Sequence, residues 1–256
     1  ATIVMLTNLE EQGRVKCDQY WPNNKQTMQY GDIYVSNIDT TVLAHYTMRT
    51  LVMSHEIEGR RREIKHLQYT AWPDHGVPDH PTPFLVFLKR VKSLNPPEAG
   101  PIISHCSAGI GRTGAFIVID CMLERLRYEH TVDIFGCVTA LRSQRTYMVQ
   151  IDDQYTFIHD AVLDAVNSGS TEVPAKRLPH HLQAILAMTP NGMTALEQEF
   201  RSLEKFHVRD ARCINANLPD NRSKNRQMNV VPYDTNRVVL STLCGEEGSD
   251  YINASW

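Results

Sequence analysis

The ten residues His105-Cys106-Ser107-Ala108-Gly109-Ile110-Gly111-Arg112-Thr113-Gly114 constrain this chain more than any other stretch. Ile102-Ile103 leads in as a short apolar run and reads as a buried strand, and residues 115–126 lead out as a long apolar stretch that reads as a helix. Between them lies a tight loop with one cysteine, three glycines and one arginine. Glycine lets backbone approach a ligand closely and reach positive φ. A loop opening onto a helix N-terminus aims N–H groups and the positive end of the helix dipole at whatever sits there. Such a cradle suits a tetrahedral dianion, with Cys106 at its base and Arg112 closing it. A free thiol has a pKa of about 8.5, and near a helix N-terminus and a guanidinium it falls to roughly 3.5–7.5. The thiolate is the nucleophile, so one loop both makes the nucleophile and binds its target. Arg112 can grip two phosphate oxygens in a planar fork, which a lysine cannot do. Thr113 is placed to hydrogen-bond the sulfur and ease its departure. A lone cysteine before a helix is usually a small buried hydrophobe. The whole string, with a strand before it and a helix after it, is a far more specific signal.

The string resembles the signature loop of the classical protein tyrosine phosphatases, and Trp72-Pro73-Asp74-His75-Gly76 resembles that family's mobile acid loop. The resemblance implies an α/β (α+β) fold, a twisted mixed sheet flanked by helices, here incomplete, and hydrolysis of phosphotyrosine on proteins. It makes Cys106 the nucleophile and has Ser107, Ala108, Gly109, Ile110, Gly111 and Arg112 bind the phosphate, supported by His105 and Thr113. By position, Glu11 pairs with Arg112 and holds it in its working orientation, and Lys16 borders the acid loop. Asp74 is the general acid. A leaving phenolate has a pKa of about 10, and general-acid help contributes roughly 10²–10⁴-fold. To stay protonated the acid needs apolar surface, which Trp72 and closure of the loop are expected to supply. His75 is expected to position that loop. The segment Ser143-Gln144-Arg145-Thr146-Tyr147-Met148-Val149-Gln150-Ile151-Asp152-Asp153-Gln154-Tyr155 resembles the family's glutamine loop. There Gln150 places the water that hydrolyses the phosphocysteine, Gln154 assists, and Arg142 and Arg145 add structural hydrogen bonds. No metal or cofactor is expected, because Arg112 and the loop dipoles supply the positive charge.

A length of 256 residues allows one large domain or two modest ones. Composition, at 42% hydrophobic and 21% charged, suits a globular core, and a net charge of −3 points to no nucleic-acid partner. No run of 18 apolar residues and no signal peptide is visible. Ala1 opens directly into a strand-like run, which reads as a fragment of something longer. The six cysteines, at 17, 106, 121, 137, 213 and 244, have no paired spacing and read as reduced thiols. No His/Cys cluster has metal-ligand spacing, and His180-His181 reads as a polar turn. Residues 10–22 form a charged turn entering a short strand. Residues 3–6, 30–35, 45–52 and 63–70 read as further strands of a mixed sheet. Helices are expected over 84–94, started by Pro81-Thr82-Pro83, over 131–142 with Asp133 near the start, and over 152–167.

Ser168-Gly169-Ser170-Thr171 breaks the composition, and Pro174, Pro179 and Pro190 surround a short helical piece at 182–188. Thr194-Ala195-Leu196-Glu197 carries a capping-box pattern and begins a new helix. Residues 221–234 and 249–255 resemble the front of a phosphatase domain, yet follow the back of one. The resemblance therefore implies a tandem pair: residues 1–166 end a first, catalytic domain, 167–193 form an ordered linker, and 194–256 begin a second domain. Tandem domains are typical of receptor-type members. This implies the cytoplasmic part of a single-pass membrane receptor, its anchor lying before Ala1. In active members a tyrosine follows Lys-Asn-Arg and stacks on the substrate ring, and an acidic residue soon after holds the peptide. Gln227 and Asn229 stand there instead, and a glutamine has no aromatic face. The second domain is expected to bind phosphotyrosine poorly and to be regulatory. The same two residues speak against 194–256 completing 1–166 in a circular rearrangement. The rival to an enzyme acting on phosphotyrosine proteins is a phosphatase-like module that captures phosphotyrosine without turnover. Dead copies lose the cysteine, the arginine or the acid, and all three are present.

Overall fold

Alternation along the first strand sets both faces of the main sheet. Val4 and Leu6 enter one apolar cluster and Met5 enters another on the opposite face. In the computed structural model the described residues are 1–57, 59–168, 171–204 and 212–256. They form two units, Ala1–Val173 and Pro174–Trp256.

The first unit holds β1 (Thr2–Met5), the two-residue hairpin strands β2 (Glu10–Glu11) and β3 (Arg14–Val15), β4 (Thr27–Tyr30), β5 (Ile33–Val42), β6 (Tyr46–His55) and β7 (Arg61–Tyr69). It continues with α1 (Thr82–Leu94), β8 (Ile103–His105), α2 (Gly111–Glu129), α3 (Ile134–Gln144) and α4 (Asp152–Ser168). The six-stranded sheet has the order β4-β5-β6-β7-β1-β8. Strands β4 to β7 are antiparallel neighbours, and β1 runs parallel to both β7 and β8. The expected strand over 30–35 is in fact a hairpin: Tyr30 pairs with Ile33 across Gly31-Asp32, and Gly31 takes φ 60°. The expected buried strand at Ile102-Ile103 is the sheet's edge, and Ile103 is 60% exposed. Helix α3 begins at Ile134, later than expected, because the Asp133 carboxylate accepts from the Gly136 N–H at 2.8 Å and caps it there.

Three helices present apolar stripes at i, i+3, i+4 spacing to one face of the sheet. Phe84, Phe87, Leu88 and Val91 come from α1, Ala115, Val118, Ile119 and Met122 from α2, and Phe157, Ile158, Ala161 and Val162 from α4. Edge-to-face ring contacts run Tyr69–Phe84 at 5.3 Å, Phe84–Phe157 at 5.6 Å and Trp72–Phe84 at 5.6 Å. The buried base of the acid loop is thereby welded to the core.

Gly169 and Ser170, at the composition break, lie outside the described residues. The second unit holds α5 (Leu178–Ile185), α6 (Ala195–Glu204), α7 (Ile214–Asn217), α8 (Pro219–Arg222), β9 (Arg237–Val239) and β10 (Tyr251–Ser255). Helix α5 starts before the expected 182, because Pro179 suits a first turn. The capping box at α6 is formed: Glu197 N–H donates to Thr194 Oγ1 at 3.1 Å and Thr194 N–H to the Glu197 carboxylate at 2.8 Å. Tyr251, buried, donates to Asn225 Oδ1 at 2.6 Å, and Arg237 pairs with Asp250 at 2.7 Å. Among the described residues no helix is long and apolar enough to cross a membrane.

Candidate active site

The site is assembled where β8 meets α2. Strand β8 delivers His105 and Cys106, the loop turns through Gly109 at φ 70°, and α2 starts at Gly111. The residue before the helix, Ile110, offers no side-chain cap. The first N–H groups of α2 are thus left for another acceptor. One of them, the Thr113 N–H, serves the Cys106 sulfur, which is 7% exposed. Burial opposes its ionisation. Hydrogen bonding from the Thr113 side chain and from the N–H groups of Thr113, Gly109 and Ile110 outweighs it and holds the thiol below its ordinary 9.0. The Thr113 hydroxyl is buried and makes no hydrogen bond of standard geometry, and the Cys106 thiol is the group whose ionisation it favours.

Arg112, in the first turn of α2, is held by Glu11 of the small hairpin. Its Nη1 and Nη2 donate to the two Glu11 carboxylate oxygens at 2.6 and 2.9 Å, a fork-on-fork pair. Glu11 is 4% exposed and also accepts from Thr7 Oγ1 and the Asn8 N–H. Burial raises its pKa, and the Arg112, Asn8 and Thr7 contacts more than offset this, so it lies below the usual 4.5. The guanidinium further donates to Leu6 O and, across to the acid loop, to Pro73 O, both at 3.2 Å. It lies 5.6 Å from the Trp72 ring.

Trp72 is buried and donates its indole N–H to Gly76 O at 3.1 Å, closing the acid loop on itself. Asp74 and His75 are exposed. Asp74 is thus not enclosed as expected, and Trp72 packs on Phe84 and Phe157 in the core. Lys16 follows the hairpin half-buried, its N–H bound to Leu9 O at 2.7 Å, and among the described residues its ammonium has no partner.

The glutamine loop packs behind the signature loop. Gln154 is buried, and its amide oxygen accepts from the Gln150 N–H at 2.9 Å while the Gln150 side chain stays exposed. A Cβ on Gly111 would come within 2.8 Å of the Gln154 amide, and one on Gly114 within 2.5 Å of the Val149 nitrogen. Gly114 is required by that approach, since the atom it faces is backbone, whereas the Gln154 amide opposite Gly111 is the end of a side chain. Val149 sits at φ 58°, rare for a β-branched residue, and its N–H donates to Ile110 O at 3.1 Å. Arg142 grips Met148 O and Val149 O, and Arg145 grips Gly109 O and Ala108 O at 3.1 Å. Carbonyls held outward in this way leave the loop's N–H groups facing inward.

Ser107, Ala108, Gly109, Ile110 and Gly111 thus lie together with Cys106, Arg112, Glu11 and the backbone of the acid loop. Sequence reasoning gave no role to Tyr20, whose hydroxyl reaches His105 Nε2 at 2.6 Å, nor to Arg49 and His66 beyond it. No local motif marks them, because they sit on separate segments: strand register joins Arg49 to His66, and Tyr20 comes from the loop before β4. Among the described residues no group of three His, Cys, Asp or Glu side chains is placed to hold a metal ion.

The protein-tyrosine phosphatase family model matches residues 1–164 and 221–256. The chain is 68% identical over 255 residues to a Lar-like tyrosine-protein phosphatase of Caenorhabditis elegans. It is 55% identical to receptor-type tyrosine-protein phosphatase S of Gallus gallus and 54% identical to the tyrosine-protein phosphatase Lar of Drosophila melanogaster, each over 257 residues. All of this chain is covered in each case, against 12%, 17% and 13% of the relatives' own lengths. With a cysteine cradled at a helix N-terminus, a guanidinium fixed beside it and a matching family model over most of its length, the chain belongs to the protein-tyrosine phosphatase family.

Proposed function

We propose that this chain hydrolyses phosphotyrosine on proteins through a phosphocysteine on Cys106. The observation that carries the reading is the acidified, cradled Cys106 thiol beside an Arg112 guanidinium locked by Glu11. The Cys106 thiolate attacks phosphorus in line and forms the S–P bond as the P–O bond to tyrosine breaks. Asp74 gives its proton to the departing phenolate oxygen. Arg112 and the loop N–H groups stabilise charge on the equatorial oxygens. Water placed by Gln150, with Gln154 holding that loop in register, then attacks the phosphocysteine. Asp74 takes the water's proton, and thiolate and inorganic phosphate are released. The exposure of Asp74 is consistent with an acid that acts once substrate covers it.

We further propose that residues 1–166 are the rear of a catalytic domain and 194–256 the front of a second, joined by 167–193. The boundary between the two units, at 173 and 174, falls inside that connecting stretch. Gln227 and Asn229 support a regulatory role for the second domain. The receptor-type names of several relatives support a cytoplasmic location within a membrane receptor. The competing reading, capture of phosphotyrosine without turnover, gives a different result in one experiment. Acid-quenched reaction with a phosphotyrosine peptide should leave phosphate on the Cys106 peptide, and more of it in a Gln150→Ala variant. Peptide binding with no phosphocysteine in either protein would favour capture.

A further inference from the structure

Four side chains from four segments form a hydrogen-bonded chain that ends on the nucleophile's own carbonyl. Arg49 Nη1 lies 3.3 Å from His66 Nδ1, and His66 Nε2 lies 2.8 Å from the Tyr20 hydroxyl. That hydroxyl lies 2.6 Å from His105 Nε2, and His105 Nδ1 lies 3.0 Å from Cys106 O. Strand pairing places the first two opposite each other, Arg49 on β6 against His66 on β7. Arg49 is fixed on its other sides by Gln68 Oε1 at 3.0 Å and by the Trp21 ring, 4.3 Å from the guanidinium carbon. Gln68 is anchored in turn to Thr7 O.

With His105 neutral, the chain has one direction. A guanidinium only donates, so His66 Nδ1 must accept and the neutral ring carries its proton on Nε2. His66 is fully buried, and burial, with the Arg49 guanidinium nearby, pushes its pKa down to about 3, so it stays neutral. Its Nε2–H donates to the Tyr20 oxygen. Burial raises the Tyr20 pKa, which keeps its proton in place to be donated onward to His105 Nε2. His105 then carries its own proton on Nδ1, facing the Cys106 carbonyl. The other tautomer would set the Nδ1 lone pair against that oxygen.

We propose that Arg49 is a positioning residue for the nucleophile loop: through His66 and Tyr20 it fixes His105 as the Nδ1–H tautomer, which pins the Cys106 carbonyl. In a planar trans peptide the C=O and the following N–H point opposite ways, so pinning Cys106 O outward turns the Ser107 N–H toward the cradle. The catalytic consequence rests on the phosphatase reading, whereas the tautomer itself does not.

The test uses the full chain and two substitutions. Tyr20→Phe removes one hydroxyl and keeps the ring packed on Trp21 and His66, and Arg49→Met keeps the stem and removes the donor. Arg112, Glu11 and Asp74, the charged groups on the neighbouring loops, are untouched by either. Ring ¹⁵N spectra of His105 and iodoacetamide alkylation of Cys106 across pH are read in each protein. The neutral His105 ring of the unsubstituted chain should show the Nδ1–H form alone. Each variant should show both tautomers and alkylate about three- to tenfold more slowly on the acid side of the profile, the worth of one hydrogen bond. The double variant should fall no further than either single one, because both break the same chain. A folded Tyr20→Phe protein with an unchanged His105 tautomer and alkylation profile would overturn the proposal. Neither readout needs turnover, so failure of the phosphatase reading would be seen separately.

Discussion

Arg112 is the group on which the contacts of the site converge: Glu11, Leu6 O, Pro73 O and the Trp72 face all meet its guanidinium. Glu11 aligns that fork with its two oxygens, and with Leu6 O and Pro73 O on the outer Nη hydrogens only the Nε–H is left, so a phosphate gripped by two donors would displace Pro73 O from Nη2. Glu11→Gln should therefore lower kcat/KM for an aryl phosphate by about 10- to 100-fold. It should also destabilise the fold by up to about 3 kcal/mol, because a buried cation loses its partner. The pH dependence has a defined sign. The Glu11 pKa is depressed in the folded state, so its contribution is fully present above 4.5 and is lost as pH falls through the lowered value. Urea unfolding of both proteins across that range should show the gap between them closing on the acid side. Asp74→Ala should cut turnover by about 10²–10⁴-fold while leaving phosphotyrosine-peptide binding within a few-fold. Unchanged turnover would remove Asp74 from the mechanism.

Among the elements, the contact between α2 and the glutamine loop leaves the least freedom. A methyl at Gly114 would press on the Val149 nitrogen, a backbone atom held by its bond to Ile110 O. Gly114→Ala should cost about 1–3 kcal/mol in thermal or urea unfolding and lower kcat more than it changes KM, because the displaced loop carries the cradle. The signature loop was legible in the sequence because its chemistry is contiguous: one string supplies strand, turn, nucleophile and helix start. The longer helices were legible to within about a turn, since apolar spacing and caps such as Asp133 and Thr194 are local, whereas the four-residue α7 and α8 are too short to show a periodicity. The hairpin at Gly31-Asp32 and the exposed edge at Ile103 were not, because pairing partners decide them. Arg49 and His66 escaped for the same reason, being brought together by register between β6 and β7. Exposure of Asp74 was not legible either, being a property of the assembled chain.

At the scale of the whole molecule, every residue named for the candidate site lies within Ala1–Val173. Gln227→Ala and Asn229→Ala should leave aryl phosphate turnover within about twofold, as expected for exposed residues of a unit other than the one that holds Cys106. A larger loss would mean that 194–256 completes the pocket. The central claim, that Cys106 is the nucleophile of a metal-independent phosphatase, is tested most directly by phosphotyrosine-peptide hydrolysis under reducing conditions with chelator present. The chain should release phosphate, and its Cys106→Ser variant, equally folded, should release none above background. Release by both proteins, or loss of release on chelation alone, would contradict the account.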